Sequence, residues 1–327
     1  MKNVAINGLG RIGRATLKIL LDKSEFAVLA VNDLVPVENL AYLLKYDTVY
    51  GRYEKHIGVD GQNLVINGKK IAVLSEKEPE KLPWNEMKID VVFESTGVFT
   101  KKADLEKHVI AGAKKVILSA PSKSEDLVTV VHGVKGAGPK PQVISCASCT
   151  TNCITPVVEI MGRNIGVKKA IMTTIHAYTA TQGIVDSPAS RFRRGRAAAA
   201  NLVPTSTGAA IATTRVLPEF KGLFNGVSVR VPVPVGSLAD MVFVTKRAVT
   251  ADEINDLFRK EASSEQYKNI LGVSEDPIVS SDIIKDPRAS VVDLTMTQVV
   301  DGDLVKVMSW YDNEWGYANQ MVREAAL

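Results

Sequence analysis

Residues 7–15 read NGLGRIGRA and place Gly8, Gly10 and Gly13 in the G-x-G-x-x-G spacing. The apolar run NVAI precedes them and the helix-like RIGRATLKILL follows. In that strand–turn–helix setting each glycine has a physical task. Gly8 permits the tight turn, Gly10 lets backbone approach a pyrophosphate, and Gly13 lets helix and strand pack closely. Free N–H groups at the helix start and its partial positive charge suit phosphate oxygens. Glycine clusters also make plain structural turns, so the motif needs a second sign. Asp33 supplies it, at the end of the next apolar run, AVLAVND. A carboxylate there accepts hydrogen bonds from ribose hydroxyls and repels a 2′-phosphate, which predicts NAD rather than NADP.

Outward from this motif, short apolar runs alternate with helical segments as far as KKVILSA and QVISCAS. That alternation predicts an α/β class, a Rossmann-type doubly wound parallel sheet over residues 1–148. GVDGQNLVINGKKIAVLSE, with DGQ and NGK turns, reads as a small antiparallel insertion. Residues 149–312 change rhythm. A helix over TTNCITPVVEIMGRN leads into long strand-like runs, an α+β domain with a mostly antiparallel or mixed sheet. DGD at 301–303 should turn a hairpin, and a last helix within about 313–327 should return to the first domain.

The chain has 327 residues, 46% hydrophobic and 23% charged, with net charge +4. That length suits two domains, because single cores stop growing near ~250–300 residues. No signal-like start and no apolar stretch of membrane-spanning length appear, so the expectation is a cytoplasmic protein with no membrane partner. The densest basic run, RFRRGR at 191–196, reads as a solvated face, an oligomer contact or an anion site. Nucleic acid is a weaker option, since no long basic stretch or interleaved aromatics accompany it.

All three cysteines, Cys146, Cys149 and Cys153, lie in SCASCTTNC, residues 145–153. Zinc needs about four ligands, and no second knuckle or clustered histidine exists, so no metal is expected. A disulfide conflicts with a reducing compartment. A nucleophile at a helix start remains. Ser148 can cap a helix beginning at Cys149, whose thiol would meet the positive helix end and have its pKa lowered. Cys153, one turn on, reads as a small buried apolar residue. His176, closing AIMTTIHAYT, is either the base for this thiol or a structural histidine.

INGLGRIGR, SCASCTTNC, TTIHAYTATQ, RAAAANLVPTSTGAA and SWYDNEWGY together resemble phosphorylating glyceraldehyde-3-phosphate dehydrogenases, in order and along the whole chain. The resemblance implies a homotetramer that oxidises glyceraldehyde 3-phosphate through a cysteine thioester, with NAD as cofactor and inorganic phosphate as acyl acceptor. It makes Cys149 the nucleophile and His176 the base. Arg11 and Ile12 fall at the pyrophosphate loop and Asp33 at the adenosine ribose. Lys77 falls beside the adenine, Ser119 and Asn313 at the nicotinamide. One anion site takes Ser148, Thr150, Thr207, Gly208 and Arg193, with the neighbouring Arg194 as the other candidate. The second takes Thr179, Thr181 and Arg230.

Three features depart from the family. Cys146 stands where Asn is usual, HGVKGAGPKPQ is short, and Ser187 precedes Pro188 where an apolar residue is commoner. Erythrose-4-phosphate dehydrogenase shares the same cysteine and histidine and is the alternative enzyme. RNA binding through a basic dinucleotide groove is the alternative from another class, as a secondary role.

Overall fold

The computed structural model describes residues 1–134 and 141–327. The middle of HGVKGAGPKPQ therefore lies outside the described residues. The chain divides into two compact units: the described residues of Met1–Val130, Gly138–Ala147 and Met321–Leu327, and those of Val131–Ala137 and Ser148–Gln320.

The first unit contains β1 (Lys2–Asn7), α1 (Arg11–Leu20), β2 (Phe26–Asn32), α2 (Val37–Lys45), β3 (Ile57–Asp60), β4 (Asn63–Ile66), β5 (Lys69–Leu74), β6 (Val91–Glu94), α3 (Lys102–Ile110), β7 (Lys115–Leu118) and β8 (Val143–Ser145). Its sheet runs β3-β4-β5-β2-β1-β6-β7-β8. The strands from β5 to β8 pair in parallel. β3, β4 and β5 form the expected antiparallel insertion. Its second turn is Asn67-Gly68, with φ of 46° and 78°, the doubly positive geometry of a tight hairpin.

β1 lies between β2 and β6, so the strand order reverses beside it, and the crevice beyond its C-terminal end is where such sheets take ligands. The glycines occupy that end. Gly8 has φ 90°, and a Cβ there would lie 2.6 Å from the Thr96 nitrogen. A Cβ on Gly13 would lie 2.0 Å from the Gly8 carbonyl oxygen. Gly13→Ala should therefore destabilise this unit by about 1–3 kcal/mol. Thermal unfolding reads the loss, and an unchanged midpoint would contradict the packing assigned to Gly13.

Beneath the turn lies a buried polar network. Glu94 accepts from Asn7 Nδ2 (2.6 Å) and the Thr96 amide (2.8 Å), and its Oε2 lies 3.1 Å from His108 Nε2. Trp84 Nε1 donates to His108 Nδ1 at 3.0 Å, so that nitrogen carries no proton. At the chain's end, Lys2 Nζ donates to the carbonyls of Ala325 (2.7 Å) and Ala326 (3.0 Å).

The second unit contains α4 (Cys149–Asn164), β9 (Val167–Ala177), β10 (Val203–Ser206), α5 (Ala209–Val216), β11 (Phe224–Val231), β12 (Ser237–Thr245), α6 (Ala251–Ala262), β13 (Leu271–Ser274), β14 (Ser290–Val300) and β15 (Leu304–Tyr311). α7 (Trp315–Ala326) begins here and gives its final residues to the first unit. The sheet, β10-β11-β9-β12-β15-β14-β13, is mixed, as expected. β11 pairs with β9, and β13 with β14, in parallel; the other pairs are antiparallel. Asp301 and Gly302, both at positive φ, turn the β14–β15 hairpin. Cys153, Val157, Val158 and Met161 on α4 pack with Met172, Met241, Phe243, Val292 and Val305 of the sheet in one core. Among the described residues no helix is long and apolar enough to cross a membrane.

Candidate active site

The chain leaves β8 through Ala147, held at φ 55°, and enters α4 at Cys149. A left-handed non-glycine residue costs about 1–2 kcal/mol, and here the bend brings Cys149 into the first turn of a helix. Ser148 caps that helix, as expected: its Oγ accepts from the Thr151 amide at 3.1 Å. The cap places the thiol among the uncommitted N–H groups of the helix start.

Side chains alternate along β9, and Met172, Thr174 and His176 share the face that packs on the core. That alternation aims His176 at α4. Its Nε2 lies 3.4 Å from Cys149 Sγ. Tyr311, ending β15, is buried, and its hydroxyl lies 2.8 Å from both Thr150 Oγ1 and Thr174 Oγ1. The Tyr311 and His176 rings meet edge to face at 6.0 Å. Strand register puts Arg230 of β11 directly beside His176. Arg230 Nη1 stands 2.9 Å from His176 Nδ1 and 3.0 Å from the Ala177 carbonyl.

The electrostatics correct one expectation. The position at the helix start was expected to lower the Cys149 pKa. Instead, burial pushes the thiol up, and the charge of Arg230 and the Thr150 N–H only partly offset it. His176 goes the other way. Burial first, then Arg230, push the imidazole down to about 3, so it is neutral at physiological pH. Cys153 is fully buried and its thiol is pushed up to about 12. Cys146 is likewise buried, and only Cys149 is partly exposed.

The anion-site residues fall into two sets. Thr179 Oγ1 and Thr181 Oγ1 lie 2.9 Å apart. The arginine beside them is Arg194, the residue left open as the alternative to Arg193 for the other set. Arg194 Nε donates to Thr205 Oγ1 at 3.1 Å, and its Nη1 lies 3.5 Å from Thr181 Oγ1. Arg193 is exposed, because the 3-10 turn at Phe192–Gly195 sends the adjacent side chain elsewhere. Burial and the charge of Arg230 push Arg194 below its ordinary value, as expected for two guanidinium groups sharing one polar region. Arg230 Nε is buried and has no partner among the described residues. Thr207 accepts from the Ala209 amide at 3.2 Å, and Gly208 opens α5 with nothing within 4 Å of where a Cβ would be. The Thr150 hydroxyl is engaged with Tyr311, so its backbone N–H is what it can offer an anion.

Among the cofactor candidates in the first unit, the glycine turn and Asp33 are joined. The Leu9 amide donates to Asp33 Oδ2 at 2.7 Å, and the Gly8 amide to the Asn32 carbonyl at 2.8 Å. The glycine turn and the acid are thus held together. Gly10 has open space at its Cβ position, which leaves room for a pyrophosphate to meet backbone. Arg11 pairs with Asp47 at 2.6 Å, so Arg11 and Ile12 offer the phosphates backbone rather than charge. Lys77 is exposed beyond β5, and Ser119 follows β7. In the second unit, Asn313 Oδ1 accepts from the Gly236 amide (3.1 Å) and the Ser237 hydroxyl (3.0 Å), which fixes its amide plane. Residue types and geometry in the turn fit an NAD molecule. Tyr311 is the residue beside His176 that sequence reasoning missed. SWYDNEWGY did mark the region of Tyr311.

Residues 2–102 match the family described as glyceraldehyde 3-phosphate dehydrogenase, NAD binding domain. Residues 148–313 match its C-terminal domain. Glyceraldehyde-3-phosphate dehydrogenase 2 of Streptomyces avermitilis is 50% identical over 323 residues, 98% of this chain and 96% of the relative. Glyceraldehyde-3-phosphate dehydrogenase 1 of Bacillus subtilis is 50% identical over 326 residues, 99% and 97% of the two chains. The Geobacillus stearothermophilus protein of the same name is 48% identical over 326 residues, again 99% and 97%.

Proposed function

The chain belongs to the glyceraldehyde-3-phosphate dehydrogenase family, and from that premise we propose that it oxidises D-glyceraldehyde 3-phosphate with NAD and inorganic phosphate to 1,3-bisphosphoglycerate. The observation that carries this is the 3.4 Å contact of Cys149 Sγ with His176 Nε2, with Arg230 beside His176 in the strand register.

In the proposed mechanism the Cys149 thiol first gives its proton to solvent water, and the thiolate forms a C–S bond to the aldehyde carbon. The carbonyl π pair moves to oxygen and gives a hemithioacetal held on the enzyme. The Cys149 amide at the helix start and the His176 imidazole hydrogen-bond that oxygen as charge develops. NAD, when bound, supplies the acceptor for the hydride that leaves carbon. The thioester left on Cys149 retains enough free energy for phosphate oxygen to displace the sulfur. Following the resemblance, Arg230 with Thr179 and Thr181 holds one anion, and Arg194, which reaches Thr181, stands between the two sets. Arg194, Ser148, Thr150, Thr207 and Gly208 hold the other. Forked guanidinium donors suit both phosphates, and helix starts add N–H groups.

Residues 1–148 are the proposed NAD domain, completed by the C-terminal helix, and residues 149–312 the catalytic domain. The assembly is a homotetramer in the cytoplasm. Free thiols support the compartment. Exposed apolar side chains such as Phe192 (89%) and Ile184 (85%), near the basic run, support burial against other subunits.

Sustained NADH formation from the aldehyde should require phosphate or arsenate. A steady rate that is the same without either would sink the proposal. Asp33 sets a second expectation. A 2′-phosphate about 5 Å from its carboxylate is repelled by about 3 kcal/mol at an effective dielectric of 20. NADP should therefore show kcat/KM lower by on the order of 10²-fold, and Asp33→Gly should narrow the gap. Equal kcat/KM for both cofactors would refute this role.

A further inference from the structure

Asn7 ends β1, and the strand register sets it beside Asn32 at the end of β2 and Glu94 at the end of β6. Register partners in neighbouring strands put their side chains on one face of a sheet, so the three form a row. All three are buried. Asn7 precedes the glycine turn, Asn32 precedes Asp33, and Glu94 precedes Ser95 and Thr96. Their carbonyls accept from the residues that open the next turns. The Ser95 amide donates to Asn7 (2.7 Å), the Gly8 amide to Asn32 (2.8 Å) and the Ser119 amide to Glu94 (2.9 Å).

The side chains of the row are hydrogen-bonded in one direction. Asn32 Nδ2 donates to Asn7 Oδ1 at 2.7 Å, and Asn7 Nδ2 donates to Glu94 Oε2 at 2.6 Å. Glu94 Oε1 accepts from both the amide and the hydroxyl of Thr96. At the far end, the Glu76 amide donates to Asn32 Oδ1, and Asn32 Nδ2 donates to the Glu76 carbonyl, both at 2.8 Å. A carboxylate only accepts, and a carboxamide has one donating and one accepting end. Glu94 therefore decides which way both asparagine amides point. His108 of α3 completes its set of donors. Trp84 Nε1 can only donate, and it takes His108 Nδ1 at 3.0 Å. The ring hydrogen thus sits on Nε2, 3.1 Å from Glu94 Oε2.

We propose that His108 is a positioning residue for the dinucleotide site: its Nε2–H holds Glu94, and through Glu94 the row that fixes the ends of β6, β1 and β2, where Thr96, the glycine turn and Asp33 stand. The inference rests on the NAD reading of that turn and specifies what keeps it in shape. His108 and Trp84 are fully buried, so neither touches a cofactor, and their effect on one passes through Glu94. Loss of the His108 donor leaves a buried carboxylate and a buried indole N–H short of partners. A half-satisfied buried network no longer specifies one arrangement. The consequence falls on cofactor affinity rather than on the acyl chemistry, because Cys149 and His176 belong to the other unit.

The test is calorimetric titration of the full-length protein with NAD, which needs no turnover. His108→Leu should raise the NAD dissociation constant on the order of 10-fold, the scale of one lost hydrogen bond to a charged group. KM for NAD should rise with it, while kcat and KM for the aldehyde stay within about three-fold. His108→Gln should restore the wild-type dissociation constant, since its amide can donate to Glu94 while its carbonyl accepts from Trp84. Asn32→Ala cuts the row at its other end and should weaken NAD by a similar factor. An unchanged dissociation constant in folded His108→Leu or Asn32→Ala overturns the proposal. So does failure of His108→Gln to rescue, or an equal loss in kcat, which marks general damage. In ¹⁵N NMR of the wild type, the His108 ring, identified by its proximity to the Trp84 indole hydrogen, should carry hydrogen on Nε2. Hydrogen on Nδ1 overturns the proposal whether or not any variant folds. Absence of NADH formation from the aldehyde in a wild-type protein that binds NAD would fault the functional reading alone.

Discussion

Cys149→Ser is expected to lower kcat by on the order of 10⁴-fold or more, the scale of losing a covalent nucleophile. The reason lies in ionisation. Burial already raises the Cys149 thiol, and a serine hydroxyl at the same place would be far less ionised. The neighbouring His176 is held neutral with a low pKa and is too weak a base to compensate. Cys153→Ser and Cys146→Asn should stay within a few-fold of wild type, since both thiols are buried away from the histidine contact. Substoichiometric iodoacetamide should label Cys149 first, because it alone is partly exposed. Its rate should climb as pH rises past neutral, since a raised thiol pKa keeps the sulfur protonated below it. Wild-type kcat in Cys149→Ser, or first labelling of either other cysteine, would overturn the assignment.

His176→Ala should lower kcat by about 10²–10⁴-fold, the range for a lost proton-handling or oxyanion-stabilising group. KM for the aldehyde should change much less, because the proposal assigns the phosphate to Arg230 and the threonines. The wild-type pH profile should not show His176 gaining a proton near pH 6, since its pKa lies near 3. The same shift has a sign for stability. Unfolded His176 binds a proton below about 6.5 and the folded residue only near 3, so this group makes folding less favourable as pH falls through that window. His176→Ala should soften the acid loss of stability. An unchanged kcat would remove His176 from the mechanism.

Much of this was legible in the sequence where local backbone demands dominate. The glycine spacing fixed a turn whose sterics are set by a few neighbouring atoms, and Gly13 against the Gly8 carbonyl bears that out. Ser148 ahead of Cys149 signalled a helix cap, which is a local hydrogen bond. The antiparallel insertion announced itself through Asn67-Gly68. What was not legible depends on packing at long range. The raised thiol of Cys149 comes from burial by other elements, which no local signal shows. Arg194 rather than Arg193 follows from which side of a short 3-10 turn faces Thr181. Arg230 beside His176 follows from strand register between segments more than 50 positions apart. α6 was missed although Thr250 and Glu253 carry a T-x-x-E capping signal, and Thr250 does accept from the Glu253 amide.

The most direct test of the central claim is to mix the enzyme with NAD and glyceraldehyde 3-phosphate in phosphate-free buffer, quench in acid, and map the peptides by mass. NADH should form in a burst of about one equivalent per active site and then nearly stop, as expected when an acyl-enzyme accumulates. The phosphoglyceryl group should sit on the peptide bearing Cys149 and disappear when phosphate is added before the quench. Continued turnover with no modified peptide, or the acyl group on any residue other than Cys149, would contradict the account.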